Sequence, residues 1–133
     1  MAHPIKNIVI ADDDIDDLEL FEHAMSLTCT NYRLHKAFDG EYLIELLKQL
    51  DAAIHLVILD LNMPKRSGKE CLGWIRKNAK TANLPVIVLS TSAEAEDKDF
   101  CIANGANKYI VKPHSFTVLK NITAKICNGS WLL

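Results

Sequence analysis

Five short apolar segments, separated by longer amphipathic stretches, constrain the fold of this chain more than any other feature. They run from Ile5 to Ala11, Tyr32 to Phe38, Ile54 to Leu59, Pro85 to Leu89 and Lys108 to Val111. Three contain continuous apolar runs (IVIA, LVIL and PVIVL), which are typical of strands covered on both faces in a parallel sheet. The second, YRLHKAF, is half polar and suits an edge strand. The pattern favours a parallel α/β protein.

The stretches between these segments have the features of helices. Apolar residues recur at helical spacing, as in the leucines at positions 43, 46, 47 and 50. Helix starts are indicated at Asp39, Ser67 and Ser115, and Gly105 is a natural end for a fourth helix over about 93–104. Strand and helix alternate five times, and right-handed crossovers place helices on both faces of the sheet. We therefore predict a three-layer α/β sandwich that forms a single domain over residues 1–133, with its core at about 5–127 and a short C-terminal tail.

Composition excludes several classes of protein. Hydrophobic residues make up 49% of the chain and charged residues 24%, with a formal net charge of −2. This balance favours a packed core and gives no basic surplus for binding nucleic acid. The apolar runs are too short to cross a membrane, and the N-terminus lacks the order of a secretory signal. Because the four cysteines are widely scattered, we expect reduced, packed thiols and a cytoplasmic protein.

The acidic residues are concentrated near the N-terminus. Residues Asp12 to Glu22 contain seven of the seventeen acids and no base. A solvated face at a helix N-terminus accounts for the later members of this run, which are Asp16, Asp17, Glu19 and Glu22. It does not account for Asp12, Asp13 and Asp14, because three adjacent carboxylates after a buried strand repel one another. A site that tolerates such crowding usually contains a cation.

Polar and charged residues also follow the other predicted strands. The third strand ends at Asp60, the fourth at Ser90 and the fifth at Lys112. In an open parallel sheet, ligands bind at the carboxyl ends of the strands beside the switch point in strand order. Each residue alone has an ordinary explanation, as a turn residue, a strand-end hydroxyl or a surface lysine. Together with the acids after the first strand, they predict one pocket at one edge of the sheet.

These segments resemble the receiver domain of two-component response regulators. The matching pieces are IVIADDD, VILDLNMP with SG a few residues on, PVIVLST and GANKYIVKP. The resemblance covers nearly the whole chain, and as an ordered set the motifs are highly specific. It implies a (βα)5 flavodoxin-like fold with a five-stranded parallel sheet of order 2-1-3-4-5. It also implies a stand-alone, single-domain response regulator of a phosphorelay, which is a signalling protein and not an enzyme.

The resemblance implies a phosphoryl-transfer site with Mg²⁺ as cofactor. Asp60 takes the position of the phosphoacceptor. Asp13 and Asp60 take the positions of direct metal ligands, and the backbone carbonyl of Asn62 takes the position of a further ligand. Asp12 takes the position of a residue that binds the metal through a water molecule. Physical chemistry agrees, because an ionised carboxylate can form an acyl phosphate and Mg²⁺ prefers oxygen ligands. Asp14 is expected to cap the first helix.

The remaining implied residues stabilise the phosphoryl group and transmit its presence. Lys112 pairs with one phosphoryl oxygen and Ser90 donates a hydrogen bond to another. Ser90 and Tyr109 take the positions of the switch, with the fourth helix, fifth strand and fifth helix as the partner-binding face. The alternative for Tyr109 is an ordinary half-buried aromatic residue of a strand. The implied phosphoryl donor is a histidine kinase or phosphotransfer protein, and the output is a protein target or a further relay step. We expect no nucleic acid, no membrane, and a monomer or weak dimer.

Three other functions remain as alternatives. An aspartate-dependent phosphatase also uses strand-end acids and Mg²⁺, but its pattern after the first strand is Asp-x-Asp-x-Thr/Val, where this chain has Asp16 in the last place. A flavin-binding protein would need a Gly- and hydroxyl-rich phosphate loop instead of a triply acidic one. A degenerate receiver would not be phosphorylated, and the intact acid, serine and lysine set argues against it.

Overall fold

The computed structural model describes residues 5–50 and 53–131, which form five strands alternating with five helices. The strands are β1 (Lys6–Ala11), β2 (Tyr32–Ala37), β3 (Ile54–Leu59), β4 (Val86–Ser90) and β5 (Lys108–Val111). The helices are α1 (Ile15–Thr28), α2 (Gly40–Gln49), α3 (Gly68–Lys77), α4 (Ala95–Ala103) and α5 (Phe116–Asn128). Among the described residues, no helix has the length and apolar character needed to span a membrane.

All strand pairs are parallel, and the sheet order is β2-β1-β3-β4-β5. This order confirms the predicted fold class, including the position of the half-polar second strand at an edge. After β1 the chain crosses to β2 on one side, and after β2 it returns to β3 on the other side. The switch point therefore lies between β1 and β3, and the carboxyl ends of these two strands flank the crevice where ligands bind in such sheets.

Alternation of side chains along the strands divides the core into two layers. In β1, Val9 and Ala11 pack in one cluster with apolar residues of α2 and α3, whereas Ile8 and Ile10 pack in the other with residues of α1 and α5. Strands β3 and β4 divide in the same way. Successive side chains of a strand point to opposite faces, so continuous apolar runs fill both layers. This explains why these strands appear in the sequence as continuous apolar runs and not as alternating apolar and polar residues.

Side-chain caps fix where four of the helices begin. Asp14, Asp39, Ser67 and Ser115 each accept a hydrogen bond from the backbone N–H three residues further on, an arrangement that satisfies a donor with no partner inside the helix. The capping role predicted for Asp14 is confirmed. Helix α4 has no side-chain cap and spans Ala95–Ala103, so it is shorter than predicted.

The cysteines differ from the sequence-based expectation. Cys29, at the end of α1, and Cys127, in the last turn of α5, form a disulfide with a Cα–Cα distance of 5.5 Å. Cys71 and Cys101 are free and buried, as expected. The expectation of four reduced thiols was wrong for the first pair because a separation of 98 residues says nothing about distance in space. The packing of α1 against α5 brings the two residues together.

Candidate functional site

Three carboxylates meet at the carboxyl ends of β1 and β3. One oxygen of each of Asp12, Asp13 and Asp60 lies within 4.8 Å of the others. Asp12 and Asp60 are only 4% and 6% exposed, whereas Asp13 faces solvent. Backbone hydrogen bonds continue beyond the strands, since the Asp60 N–H donates to the Ala11 carbonyl. The sheet thus holds the acids in place before any ligand binds.

Lys112 lies against this cluster from the end of β5. Its backbone N–H donates to the Ser90 carbonyl at 2.7 Å. Its side-chain Nζ donates to Asp12 Oδ2 and to Asp17 Oδ2, both at 2.7 Å, and lies 3.9 Å from Asp60 Oδ1. The lysine side chain is 13% exposed, so water screens these charges only in part.

Asp17, predicted to lie on the solvated face of the first helix, also contacts Lys112. In the structure its carboxylate is 36% exposed and pairs with Lys112. The Asp14 cap accepts a hydrogen bond from the Asp17 N–H, so Asp17 occupies the first turn of α1 next to the carboxyl edge of the sheet. Its position three residues after a capping Asp was the one sequence signal that placed Asp17 in the first turn of α1. No sequence pattern indicated that it would contact a lysine 95 residues away.

The electrostatics of the cluster disfavour the ionised form of its two buried carboxylates when no cation is bound. Burial, followed by the charge of Asp12, raises the pKa of Asp60 from 3.8 to about 7, although Lys112 opposes this shift. Burial also raises the pKa of Asp12. Burial lowers the pKa of Lys112, but its hydrogen bonds with Asp12 and Asp17 outweigh this and raise it overall. A cation at the cluster would remove much of the cost of ionising Asp60.

The donor set fits a hard divalent cation. Carboxylate oxygens are the ligands that Mg²⁺ prefers, and Mg²⁺ retains several waters, for which the exposed side of Asp13 leaves access. Asn62 is exposed in the loop two residues beyond Asp60, and the role of its carbonyl remains a prediction. Among the described residues, Asp12, Asp13 and Asp60 form a group of side chains that could hold a metal ion.

The loop after β3 is held against the start of α3 by an unusually close backbone contact. The Gly68 N–H donates to the Leu61 carbonyl at 2.8 Å. A Cβ atom built on Gly68 would lie 2.1 Å from the Asp60 carbonyl oxygen and 2.6 Å from Leu61 Cα, and Cβ atoms do not approach other atoms so closely. Gly68 therefore allows α3 to pack directly on the backbone that carries Asp60.

The two predicted switch residues are connected through the loop after β4. Ser90 is the last residue of β4, and Tyr109 is the second residue of β5. Ser90 is fully buried, and its Oγ accepts a hydrogen bond from the Ser92 N–H. The half-buried Tyr109 donates its hydroxyl hydrogen bond to the Ser92 carbonyl at 2.7 Å. Ser92 Oγ donates to Asp97 of α4, which pairs with Lys69 of α3 at 2.7 Å. One network thus joins the carboxyl edge of β4 to α3, α4 and β5.

Without a divalent cation, the protein should lose stability as the pH rises from about 4 to about 7. The folded state holds a proton on Asp60 more tightly than the unfolded state does, so unfolding becomes easier as that proton is lost. The shift of Asp60 from 3.8 to about 7 corresponds to roughly 4.5 kcal/mol at about 1.4 kcal/mol per pKa unit. Denaturant unfolding of wild type and Asp60→Asn in a metal-free buffer at several pH values measures this contribution of Asp60 to the free energy of unfolding. Parallel pH profiles for the two proteins would contradict it.

The fold and the site define a flavodoxin-like α/β protein with an acidic pocket and a buried lysine at the switch point of its sheet. The sequence pattern of the response regulator receiver domain matches residues 8–124. The chain therefore belongs to the response regulator receiver domain family. Receiver domains are in general signalling domains and not enzymes, and they bind Mg²⁺ or Mn²⁺ at an acidic pocket.

Individual proteins of this family show how far the similarity extends. A probable cyclic di-GMP phosphodiesterase of Vibrio cholerae is 34% identical over 114 residues, which are 86% of this chain but 25% of that protein. The phosphorylated cyanobacterial phytochrome response regulator RcpA has a TM-score of 0.87 at 28% identity, with 96% of this chain and 94% of that one covered. The Mn²⁺-bound response regulator Rcp1 has a TM-score of 0.84 at 27% identity, with the same coverage.

Proposed function

We propose that this protein is a phosphoacceptor in a two-component phosphorelay, with Asp60 as the residue that is phosphorylated. In the transfer, a carboxylate oxygen of Asp60 forms a bond to phosphorus while the bond between phosphorus and a histidine nitrogen of the donor breaks. The histidine leaves with the bonding electrons. The observation that carries this proposal is the meeting of Asp60 with Asp12, Asp13 and Lys112 at the switch point of the sheet.

Each group at the site has a part in this reaction. Asp12, Asp13 and Asp60, together with the Asn62 carbonyl, would hold Mg²⁺, which neutralises charge shared by the nucleophile and the phosphoryl group. Lys112 is close enough to Asp60 to pair with a phosphoryl oxygen after a small movement. Ser90 has a hydroxyl hydrogen available to another oxygen, since its Oγ acts as an acceptor towards Ser92. The charges and hydrogen-bond donors of the site thus match those that the phosphoryl transfer requires.

The proposed output is a change of the surface formed by α4, β5 and α5. If the Ser90 hydroxyl turns to the phosphoryl group, the loop after β4 must adjust, and with it the hydrogen bond that Tyr109 donates to Ser92. A partner that binds one arrangement better than the other then reads the phosphorylation state, which is a population shift. The partner is a downstream target protein or the next protein of a relay.

We also propose that the protein acts in the cytoplasm, as a monomer or weak dimer. Neither nucleic acid nor a membrane is a proposed partner, given the slight excess of acidic residues. The Cys29–Cys127 disulfide, in contrast, is atypical of cytosolic proteins.

Hydrogen–deuterium exchange with beryllofluoride, a phosphoryl mimic, tests the proposed switch. With Mg²⁺ present, we expect beryllofluoride to change exchange at the acidic cluster and also in the 91–94 loop, α4 and β5. The Asp60→Asn variant should show neither change. Changes confined to the acidic cluster would contradict the proposed output surface, and no change in wild type would contradict the phosphoacceptor site itself.

A further inference from the structure

Lys112 is shared by more carboxylates than phosphoryl binding requires. Its Nζ contacts Asp12 and Asp17 at 2.7 Å each, and Asp60 lies at 3.9 Å. The ammonium group carries one positive charge and three N–H donors, and the two shorter contacts occupy two of those donors. Any phosphoryl oxygen at Asp60 therefore meets a lysine whose charge is already largely compensated.

Asp17 differs from the other two acids because it lies outside the metal cluster. Asp12 and Asp60 belong to the group of carboxylates that could hold a cation, and a bound cation would weaken their attraction for Lys112. Asp17 belongs to α1, where the Asp14 cap fixes its backbone. Its hold on Lys112 would consequently persist when a metal ion binds.

We propose that Asp17 competes with the phosphoryl group for Lys112 and so limits how strongly the site holds a phosphoryl group on Asp60. This inference rests on the proposed function and adds a positioning residue to it. Asp17 acts through Lys112 and does not touch the reacting atoms. The competition is electrostatic, since no proton moves and no bond is made or broken between Asp17 and Lys112 beyond their hydrogen bond.

The test is the affinity for beryllofluoride at saturating Mg²⁺, followed by fluorine NMR. Replacing Asp17 with Asn should tighten binding about threefold, the effect of one partly exposed charge pair. Asp17→Glu keeps the carboxylate and should retain an affinity near that of wild type. Asp16→Asn is the matched control, because Asp16 is an exposed neighbour in the same first turn and its loss changes the net charge and the helix N-terminus equally.

A second background shows whether the effect passes through Lys112. In Lys112→Ala, the additional change Asp17→Asn should leave the affinity unaltered, because the group for which Asp17 competes is gone. The proposal is overturned if Asp17→Asn binds no more tightly than Asp16→Asn, or if the gain persists without Lys112. Failure of the proposed function would be visible separately, as wild-type protein that does not bind beryllofluoride at Asp60.

Discussion

Replacing Asp60 with Asn is expected to abolish phosphorylation while leaving the fold intact. Asparagine has nearly the same shape, but its neutral amide cannot act as the nucleophile that forms an acyl phosphate. It also withdraws one charge from a crowded acidic cluster, where burial and Asp12 raise the pKa of Asp60 to about 7. Labelling with a phosphodonor, with circular dichroism as a check on folding, measures both parts of this expectation.

Asp14→Asn is the matched control for this experiment. Asp14 lies in the same loop after β1, is exposed and caps α1, and asparagine is an equally good cap. Its replacement should leave phosphorylation close to the wild-type level. Labelling of Asp60→Asn at another residue of the site, or equal loss of labelling in both variants, would refute the assignment of Asp60 as the phosphoacceptor.

Replacing Gly68 with Ala should destabilise the protein by about 3 kcal/mol or more and impair phosphorylation. The added methyl group would lie 2.1 Å from the Asp60 carbonyl oxygen, a backbone atom that cannot turn aside as a side chain can. Overpacking of a well-packed region typically costs about 1–3 kcal/mol, and here the backbone carrying Asp60 must also move. Denaturant unfolding and the rate of labelling by acetyl phosphate measure the two effects.

Gly73→Ala, in the same helix, provides the comparison. Nothing lies within 4 Å of a Cβ atom built on Gly73, and alanine is favoured over glycine inside a helix by about 1 kcal/mol. Gly73→Ala should therefore be slightly more stable than wild type and labelled at the same rate. If Gly68→Ala were as stable and as active as Gly73→Ala, the close packing of α3 on the Asp60 backbone would have no functional importance.

The fold could be predicted because several local signals agree. The apolar runs identified the strands, and Asp39, Ser67 and Ser115 identified helix starts that the structure places at the same residues. The position of Asp12, Asp13, Asp60 and Lys112 at one edge also followed from the sequence, since parallel strands carry their carboxyl ends to the same edge. These features depend on neighbours in the chain or on the direction of a strand.

The features that could not be predicted depend on side chains distant in sequence. The Cys29–Cys127 bond and the Asp17–Lys112 pair join α1 to the last quarter of the chain, and neither has a local signal. The bounds of α4 were missed because this helix has no side-chain cap and a weak apolar face, with only Cys101 buried. The sequence thus indicated where these groups meet, whereas the carboxylates that surround Lys112 could be identified only from the structure.

Intact mass after incubation with acetyl phosphate, with and without Mg²⁺, is the most direct test of the proposed function. We predict the addition of a single phosphoryl group, only when Mg²⁺ is present, and its location at Asp60 by peptide mapping. No addition in protein that binds Mg²⁺, or addition at another residue, would contradict the phosphoacceptor assignment. Sustained turnover of acetyl phosphate without a stable adduct would instead indicate a phosphatase.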